Sequence, residues 1–244
     1  GRSYRDLMSR LLIDGEVKIE YAIVDRKGKE RILQLFMVLI AQQGYYYGNF
    51  GVIKDLTMQR AYERELEFYA FRDPLTGLNN RRTFFKKTRE YFMDDSHCGM
   101  VIMCDIDHFK SVNDTYGHAI GDQVLIGFSK QLLSVESDNV LIARYGGEEF
   151  VVLLKSFDID AAERWSQKLL ELARFNAYTS ENGDVFHITI SIGVAEIWHS
   201  DTLIDSTITR ADKALYDAKQ SGRNRYTCCK LSPLDVDAKT VVSG

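Results

Sequence analysis

A Gly-Gly pair between two short apolar runs is the feature that most constrains how this chain can fold. Residues 140–143 (Val-Leu-Ile-Ala) precede the pair, and residues 150–154 (Phe-Val-Val-Leu-Leu) follow it. Two β-forming runs joined by glycines predict a hairpin, because glycine reaches the positive φ angles that a two-residue turn needs. Two glutamates leave the turn at residues 148–149. Charge at a tight turn is usually solvated; the alternative is a place that holds a metal and a phosphate beside exposed backbone.

Composition restricts the class of protein. Hydrophobic residues make up 45% and charged residues 27% of the 244, which is typical of a soluble protein with a buried core. The net charge of −4 argues against a broad nucleic-acid surface, and no apolar run approaches the ~18 residues of a membrane span. No signal peptide opens the chain. The four cysteines lack metal-ligand spacing, so we expect reduced thiols of a cytoplasmic protein; they are Cys98, Cys104, Cys228 and Cys229.

Residues 1–54 predict a small unit with a thin core. A short helical piece precedes three strand-like runs, at residues 17–24, 32–41 and 45–53. This pattern resembles the C-terminal strands of a PAS sensor domain, and Gly-Val-Ile-Lys-Asp-Leu-Thr at 51–57 reads like the end of one. The alternative is a small accessory sheet with no ligand. Residues 55–72 predict a linker or signalling helix, which is either a packed connector or a short coiled coil.

The remaining chain alternates helices and strands around the hairpin. This pattern predicts an α+β fold over residues 73–229, with a central, mostly antiparallel sheet surrounded by helices. The polar residues beyond 229 predict a disordered tail. Strands are expected at 99–105 and 186–195, and helices up to about Phe92 and at 121–134, 159–175 and 203–219.

Two groups of side chains outside the hairpin are candidates for chemistry. Asp105 ends an apolar run typical of a buried strand, and Lys110 follows it closely. A hard cation such as Mg²⁺ prefers oxygen ligands, which Asp105 and Glu148 would supply if their strands are neighbours. The alternative is a solvated turn. Lys219 and Arg223 near a helix C-terminus suit phosphate binding, although stabilising the helix dipole explains them equally well.

Several motifs decide between these alternatives because they occur together and in one order. Together they resemble the GGDEF family of diguanylate cyclases, in the variant whose hairpin reads Gly-Gly-Glu-Glu-Phe, over roughly residues 73–226. The motifs are Asp-Pro-Leu-Thr-Gly-Leu-Asn at 73–79, Asp-Ile-Asp-His-Phe-Lys-Ser-Val-Asn-Asp-Thr-Tyr-Gly-His at 105–118, Gly-Asp at 121–122, Arg-Tyr-Gly-Gly-Glu-Glu-Phe at 144–150, Ser-Ile-Gly-Val-Ala at 191–195 and Ala-Asp-Lys-Ala-Leu-Tyr at 211–216.

The resemblance implies an enzyme that condenses two GTP into cyclic di-GMP with release of two pyrophosphates, in bacterial second-messenger signalling. It implies a fold similar to the palm of polymerases and nucleotide cyclases, and a homodimer with one GTP and two Mg²⁺ (Mn²⁺ possible) per half-site. The residues it implies are Asp105, the carbonyl of Ile106 and Glu148 for metal; Glu148, Glu149 and Lys110 for catalysis; Asn113 and Asp122 for guanine; His118 near the nucleoside; and Lys110, Lys219, Arg223, Gly146 and Gly147 for the phosphates.

One departure from the family concerns product inhibition. Inhibited members carry Arg-x-x-Asp with its arginine nine positions before the first hairpin glycine, whereas this chain has Ser-Asp-Asn-Val at 137–140. We therefore expect no feedback inhibition through that site. A catalytically weak or inactive module that binds GTP or cyclic di-GMP is the alternative function, although such relatives usually lose the hairpin acids that this chain keeps. Further sensor domains are expected in a longer parent protein.

Overall fold

The computed structural model describes residues 4–43, 45–93 and 98–229. Its contacts divide the chain into two compact units, with the boundary in sequence between Ala70 and Phe71. No helix in the described part of the chain is long and apolar enough to cross a bilayer. The predicted tail at 230–244 lies outside the described residues.

The first unit is a three-stranded antiparallel sheet in the order β1-β2-β3, with one helix before it and one after it. Asp55 accepts a hydrogen bond from the backbone N of Thr57 (2.9 Å), the first residue of the second helix. The elements are α1 (Tyr4–Asp14), β1 (Glu16–Val24), β2 (Glu30–Gln42), β3 (Tyr45–Asp55) and α2 (Thr57–Phe71).

The core of this unit is as thin as three strands allow. Its buried hydrophobic side chains, among those described, are Leu11, Val17 and Leu56. Large apolar side chains of β3 face solvent, with Tyr45 73% and Phe50 58% exposed. None of the residues described in α2 is buried.

The second unit is an α+β domain around a six-stranded sheet, which confirms the predicted fold class. The sheet order is β11-β10-β5-β7-β6-β4, with its four central strands antiparallel and its two edge strands parallel to their neighbours. The elements are β4 (Asn79–Asn80), α3 (Arg81–Tyr91), β5 (Gly99–Ile106), α4 (Phe109–Tyr116), α5 (His118–Ser134), β6 (Val140–Gly146), β7 (Glu149–Lys155), α6 (Ile159–Phe175), β8 (Ala177–Thr179), β9 (Val185–His187), β10 (Ile190–Glu196), α7 (Ile204–Gln220) and β11 (Tyr226–Cys228).

Helices cover both faces of this sheet, which explains why its central strands consist mostly of buried apolar residues. Every residue of β5 is buried. Ile102 and Cys104 point into a core with α5 and α6, whereas Val101 and Met103 point into the opposite core with α7. A strand with two buried faces needs a continuous apolar run, and the run that predicted β5 is of this kind.

Two element boundaries differ from the sequence-based expectation. The helix expected from residue 121 begins at His118, and a separate helix, α4, precedes it, because Gly117 adopts φ 84° between them and the buried Phe109 anchors α4. The strand expected at 186–195 is broken into β9 and β10, because the backbone O of Thr189 accepts a bond from Asp107 N (2.9 Å) instead of continuing a ladder.

Candidate active site

The hairpin between β6 and β7 has the predicted strands but a different turn. Gly146 is the last residue of β6 and is paired with Glu149, after an irregularity that separates this pair from Arg144 and Phe150. The two residues at the tip are therefore Gly147 and Glu148, so the predicted Gly-Gly turn is wrong by one position. Gly147 has φ 49°, the left-handed conformation that glycine adopts with little cost.

The sheet brings the predicted metal acid to the hairpin. Asp105 and Glu149 are directly paired across β5 and β7, and the backbone N of Ile106 donates to the carbonyl O of Glu148 at 3.4 Å. Residues that are 42 and 44 positions apart in sequence thus lie at one end of the sheet. Asp105, Ile106, Glu148 and Glu149 form the acidic end of the site.

A lysine from α7 neutralises this acidic end. Lys219 Nζ lies 2.8 Å from Asp105 Oδ2, at the C-terminal end of α7. The pKa of Asp105 is raised from 3.8 to about 6, mainly by burial and also by Glu148 and Glu149, although Lys219 opposes these effects. Burial also raises the pKa of Glu149, assisted by Asp212 and Glu148. The site therefore concentrates negative charge that a cation would stabilise.

The residues predicted to recognise guanine come from the α4–α5 junction. Asn113 is half-buried on α4, and a Cβ atom built on Gly121 of α5 would overlap its Oδ1 atom. The amide of Asn113 thus lies against the residue that precedes Asp122. His118, the first residue of α5, and Asp122 are exposed, as is Lys110 on α4.

Arg223 lies in the turn that follows α7. Both Arg223 and Asn224 adopt left-handed backbone conformations, with φ 61° and 50°. Arg223 N donates to the carbonyl O of Ala218 at 3.1 Å, so the turn folds back on the helix that carries Lys219. The two predicted phosphate ligands are therefore on one short segment.

Arg144 makes the first contact that the sequence interpretation missed. Its Nη1 atom lies 3.0 Å from Asp73 Oδ1, while Nε and Nη2 donate to the carbonyl O of Gly147 at 2.9 and 2.7 Å. Asp73 also accepts from the backbone N and hydroxyl of Thr76. Burial would raise the pKa of Asp73, but the bonds from Thr76 and Arg144 lower it overall. The Asp-Pro-Leu-Thr motif was the available signal.

Asp107 is the second residue that was missed. It is 5% exposed, and its carboxylate accepts hydrogen bonds from Thr189, Ser191 and the backbone N of Asn224. The sequence shows an acid two residues after Asp105, but not its partners. These come from β10, from the segment before β10 and from the turn after α7. No local pattern identifies such partners.

The donor set suits a hard divalent cation. Asp105 and the hairpin glutamates offer carboxylate oxygens, the ligand type that Mg²⁺ prefers. Burial and neighbouring carboxylates raise the pKa values of Asp105 and Glu149, and a bound cation would oppose both effects. No three His, Cys, Asp or Glu side chains in the described ranges form a metal-binding group by themselves. Mg²⁺ commonly uses one or two carboxylates together with substrate phosphates, so such a site needs no larger group.

Comparison with known proteins gives consistent matches. Diguanylate cyclase DgcM of Escherichia coli (strain K12) is 37% identical over 177 residues, which cover 71% of this chain and 42% of that protein. A diguanylate cyclase of Vibrio cholerae is 34% identical over 215 residues, which cover 86% of this chain and 65% of that protein. The chain thus spans less than two thirds of the length of these two curated relatives.

A solved structure agrees with the fold. The GGDEF domain of DgcB from Caulobacter crescentus, crystallised in complex with c-di-GMP, matches with a TM-score of 0.64 and 30% identity, over 66% of this chain and 94% of that one. The model of the diguanylate cyclase GGDEF domain matches residues 70–225, which include the hairpin, Asp105 and the turn after α7. Since this match covers more than half of the chain, the protein belongs to the GGDEF diguanylate cyclase domain family.

Proposed function

We propose that this protein is a diguanylate cyclase, a nucleotidyltransferase that condenses two GTP into cyclic di-GMP and releases two pyrophosphates. The observation that carries the proposal is the pairing of Asp105 with Glu149, next to Lys219. This arrangement puts acids for a metal and a cation for phosphates at one end of the sheet. Relatives named as diguanylate cyclases support the same activity.

Guanine recognition is assigned to the α4–α5 junction. Asn113 offers an amide and Asp122 a carboxylate, and guanine presents both an acceptor and donors on its edge. The contact of Asn113 with Gly121 supports the assignment, because it restricts where the amide lies. His118 is assigned a place near the nucleoside, on the same exposed end of α5.

The triphosphate is assigned to three cations and the hairpin backbone. Lys110, Lys219 and Arg223 would bind phosphate oxygens and stabilise the charge that develops during phosphoryl transfer. Gly146 and Gly147 are both exposed, and no atom lies within 4 Å of a Cβ built on either. This open backbone supports a close approach of the α-phosphate.

Mg²⁺, or Mn²⁺, is the proposed cofactor, with two ions per half-site when GTP is bound. Asp105, the carbonyl O of Ile106 and Glu148 would hold it. Bound metal would polarise the α-phosphate and favour deprotonation of the attacking hydroxyl.

The reaction is proposed to occur in two equivalent steps. The 3′-oxygen of one GTP forms a bond to the α-phosphorus of the other GTP, and the bond from that phosphorus to pyrophosphate breaks. The proton of the hydroxyl passes to Glu148, and Glu149 supports the attacking group. Because each subunit would hold one GTP, the active form is a homodimer with two facing sites.

The first unit and α2 are proposed to connect this activity to a signal. The three-stranded antiparallel sheet supports a PAS-like part over residues 1–54, and α2 supports a linker over residues 55–72 that leads into the cyclase domain at residues 73–229. The reduced thiols of Cys98, Cys104 and Cys228 support a cytoplasmic location, and the greater length of the relatives supports further sensor domains.

Turnover of GTP in the presence of Mg²⁺, measured by chromatography of cyclic di-GMP, tests the proposal. We expect product from the wild type and none from Asp105→Asn or Glu148→Gln. Unchanged turnover in either variant would refute the assignment of the metal ligands. Binding of GTP or cyclic di-GMP by a dimeric wild type that forms no product would establish the binding module as the correct alternative.

A further inference from the structure

We propose that Asp107 is a positioning residue that holds the turn after α7 so that Arg223 faces the triphosphate. The inference rests on the proposed function, because it gives Arg223 the phosphate-binding role. Asp107 itself is buried at the end of β5, between Asp105 and α4. Its contacts lead away from the hairpin and toward the turn.

The carboxylate of Asp107 joins three segments. Oδ1 accepts from the hydroxyl of Ser191 in β10 at 2.7 Å. Oδ2 accepts from the hydroxyl of Thr189 at 2.7 Å and from the backbone N of Asn224 at 3.0 Å. Hydrogen bonds to an ionised acceptor are about twice as strong as neutral ones, so a buried carboxylate is an effective anchor for a backbone N–H group.

The turn needs such an anchor because its backbone conformation is unfavourable. Arg223 and Asn224 both adopt positive φ angles. Left-handed conformations of residues other than glycine cost on the order of 1 kcal/mol each and persist only where surrounding contacts impose them. Here the contacts are the bond from Asn224 N to Asp107, the bond from Arg223 N to Ala218 O and the bond from Arg174 Nη2 to Asn224 Oδ1 (3.1 Å).

The connection to the active site runs through the backbone. Asn224 directly follows Arg223, so the Asp107 bond determines the direction in which the Arg223 side chain leaves the turn. Lys219 is on the same segment but has its own partner in Asp105, 2.8 Å away. Loss of the Asp107 acceptor should therefore displace Arg223 more than Lys219.

Substitution of Asp107 by Asn tests this inference. The side chain keeps its size, but it has one acceptor oxygen for the three donors that surround it. We expect the Kd of a GTP analogue with a methylene bridge between the α- and β-phosphorus, and the KM for GTP, to rise about tenfold, with kcat changed much less. Ser191→Ala is the matched control: it removes a bond to Oδ1 without touching Asn224, and should change the Kd by less than about twofold.

A double-mutant cycle separates positioning from general destabilisation. If Asp107 acts through Arg223, the Kd of the Asp107→Asn, Arg223→Ala protein should equal that of Arg223→Ala alone. The proposal would be overturned if the effects of the two substitutions on the Kd multiplied fully in the double variant. It would also be overturned if Asp107→Asn lowered the melting temperature without a change in Kd.

Amide hydrogen exchange provides a readout that does not depend on catalysis. The Asn224 amide should exchange about tenfold faster in Asp107→Asn and at the wild-type rate in Ser191→Ala. An unchanged exchange rate of the Asn224 amide in Asp107→Asn would show that Asp107 does not stabilise the turn. This conclusion would not depend on which ligand the protein binds. A wild type that binds no GTP analogue would instead refute the proposed function, and the phosphate role of Arg223 with it.

Discussion

The guanidinium of Arg144 joins the carboxylate of Asp73 to the carbonyl O of Gly147, at 3.0 Å and 2.7 Å respectively. The segment before α3 is thereby fastened to the hairpin tip. The Asp73 and Arg144 side chains are only 18% and 15% exposed, so solvent screens the pair weakly. Removing one partner of such a pair leaves a largely buried charge unpaired, which is costly.

Asp73→Ala should therefore weaken both the fold and the activity. We expect the free energy of unfolding to fall by about 1–3 kcal/mol and turnover of GTP to fall more than tenfold, because the tip loses its support. Urea titration followed by tryptophan fluorescence measures the first effect, since both tryptophans, Trp165 and Trp198, lie in the second unit.

Asp158→Ala is the control for this comparison. Asp158 caps α6 by accepting from Ala161 N at 2.7 Å, so its removal should cost about 1 kcal/mol without reaching the hairpin. Equal losses of turnover in the two variants would show that activity follows stability rather than the Asp73–Arg144 contact.

Gly121→Ala should impair recognition of GTP in a stable protein. The added methyl group would overlap Asn113 Oδ1, the end of a flexible side chain, so the amide moves rather than the helix. Alanine also favours the helix by about 1 kcal/mol relative to glycine. We expect the Kd of the GTP analogue to rise about tenfold and its preference over the matching ATP analogue to decrease. Calorimetric titration with both analogues measures this.

Gly127→Ala makes the same chemical change elsewhere on α5. Its methyl group would meet the ring of Tyr178, 2.7 Å away, which should lower the melting temperature and leave the GTP affinity unchanged. If Gly121→Ala kept the wild-type affinity and preference, Asn113 would not be a guanine ligand.

Some strands and site residues could be predicted from the sequence and others could not, for physical reasons. The strands β5, β6 and β7 were predictable because their runs are apolar and each ends at a charge or a glycine. The strands β8 and β11 were missed, and β9 was not separated from β10, because β8, β9 and β11 have only three residues each, too few for a periodic pattern. Local patterns made acids and cations of the site candidates, but only the motifs in a fixed order decided between a functional role and a structural one. No role could be predicted for Asp73 or Asp107, because their partners Arg144 and Asn224 lie 71 and 117 positions away in the sequence.

The stability of the second unit should depend on pH through Asp105. Its pKa is raised by burial from 3.8 to about 6, so between these values the folded protein binds more protons than the unfolded chain. The free energy of unfolding should therefore decrease as pH rises from about 4 to 6, by on the order of 3 kcal/mol from this group. Asp73 and Asp201 have lowered pKa values, so their contributions to the free energy of unfolding decrease as the pH falls below 4.

Urea unfolding at several pH values, compared between the wild type and Asp105→Asn, isolates this contribution. The free energy of unfolding of the variant should increase relative to that of the wild type as pH rises from 4 to 6, and the difference should stay constant above pH 6. Mg²⁺ should stabilise the wild type at pH 7.5 but not at pH 4.5, where the carboxyl group is protonated. A difference that does not vary with pH would contradict the assignment.

The thiols should differ strongly in reactivity. Burial and the neighbouring Glu163 together raise the pKa of Cys228 to about 12, and burial raises the pKa of Cys104 as well. Neither forms much thiolate at pH 8, whereas Cys98 is exposed. Labelling with iodoacetamide and peptide mass spectrometry should find Cys98 modified first. Rapid modification of Cys228 would contradict its half-buried position in β11.

Product should not inhibit this enzyme through the position where inhibited relatives carry Arg-x-x-Asp. Ser137 stands in place of the arginine, and Val140, in place of the aspartate, is 5% exposed and pairs with Leu154 at the start of β6. A buried valine offers no carboxylate to a ligand, and serine offers no positive charge to the phosphates of a cyclic dinucleotide. We expect the rate of GTP turnover to be the same with and without low-micromolar cyclic di-GMP added at the start. Inhibition that Asp138→Ala or Ser137→Ala relieves would contradict this, because it would locate the product beside these residues.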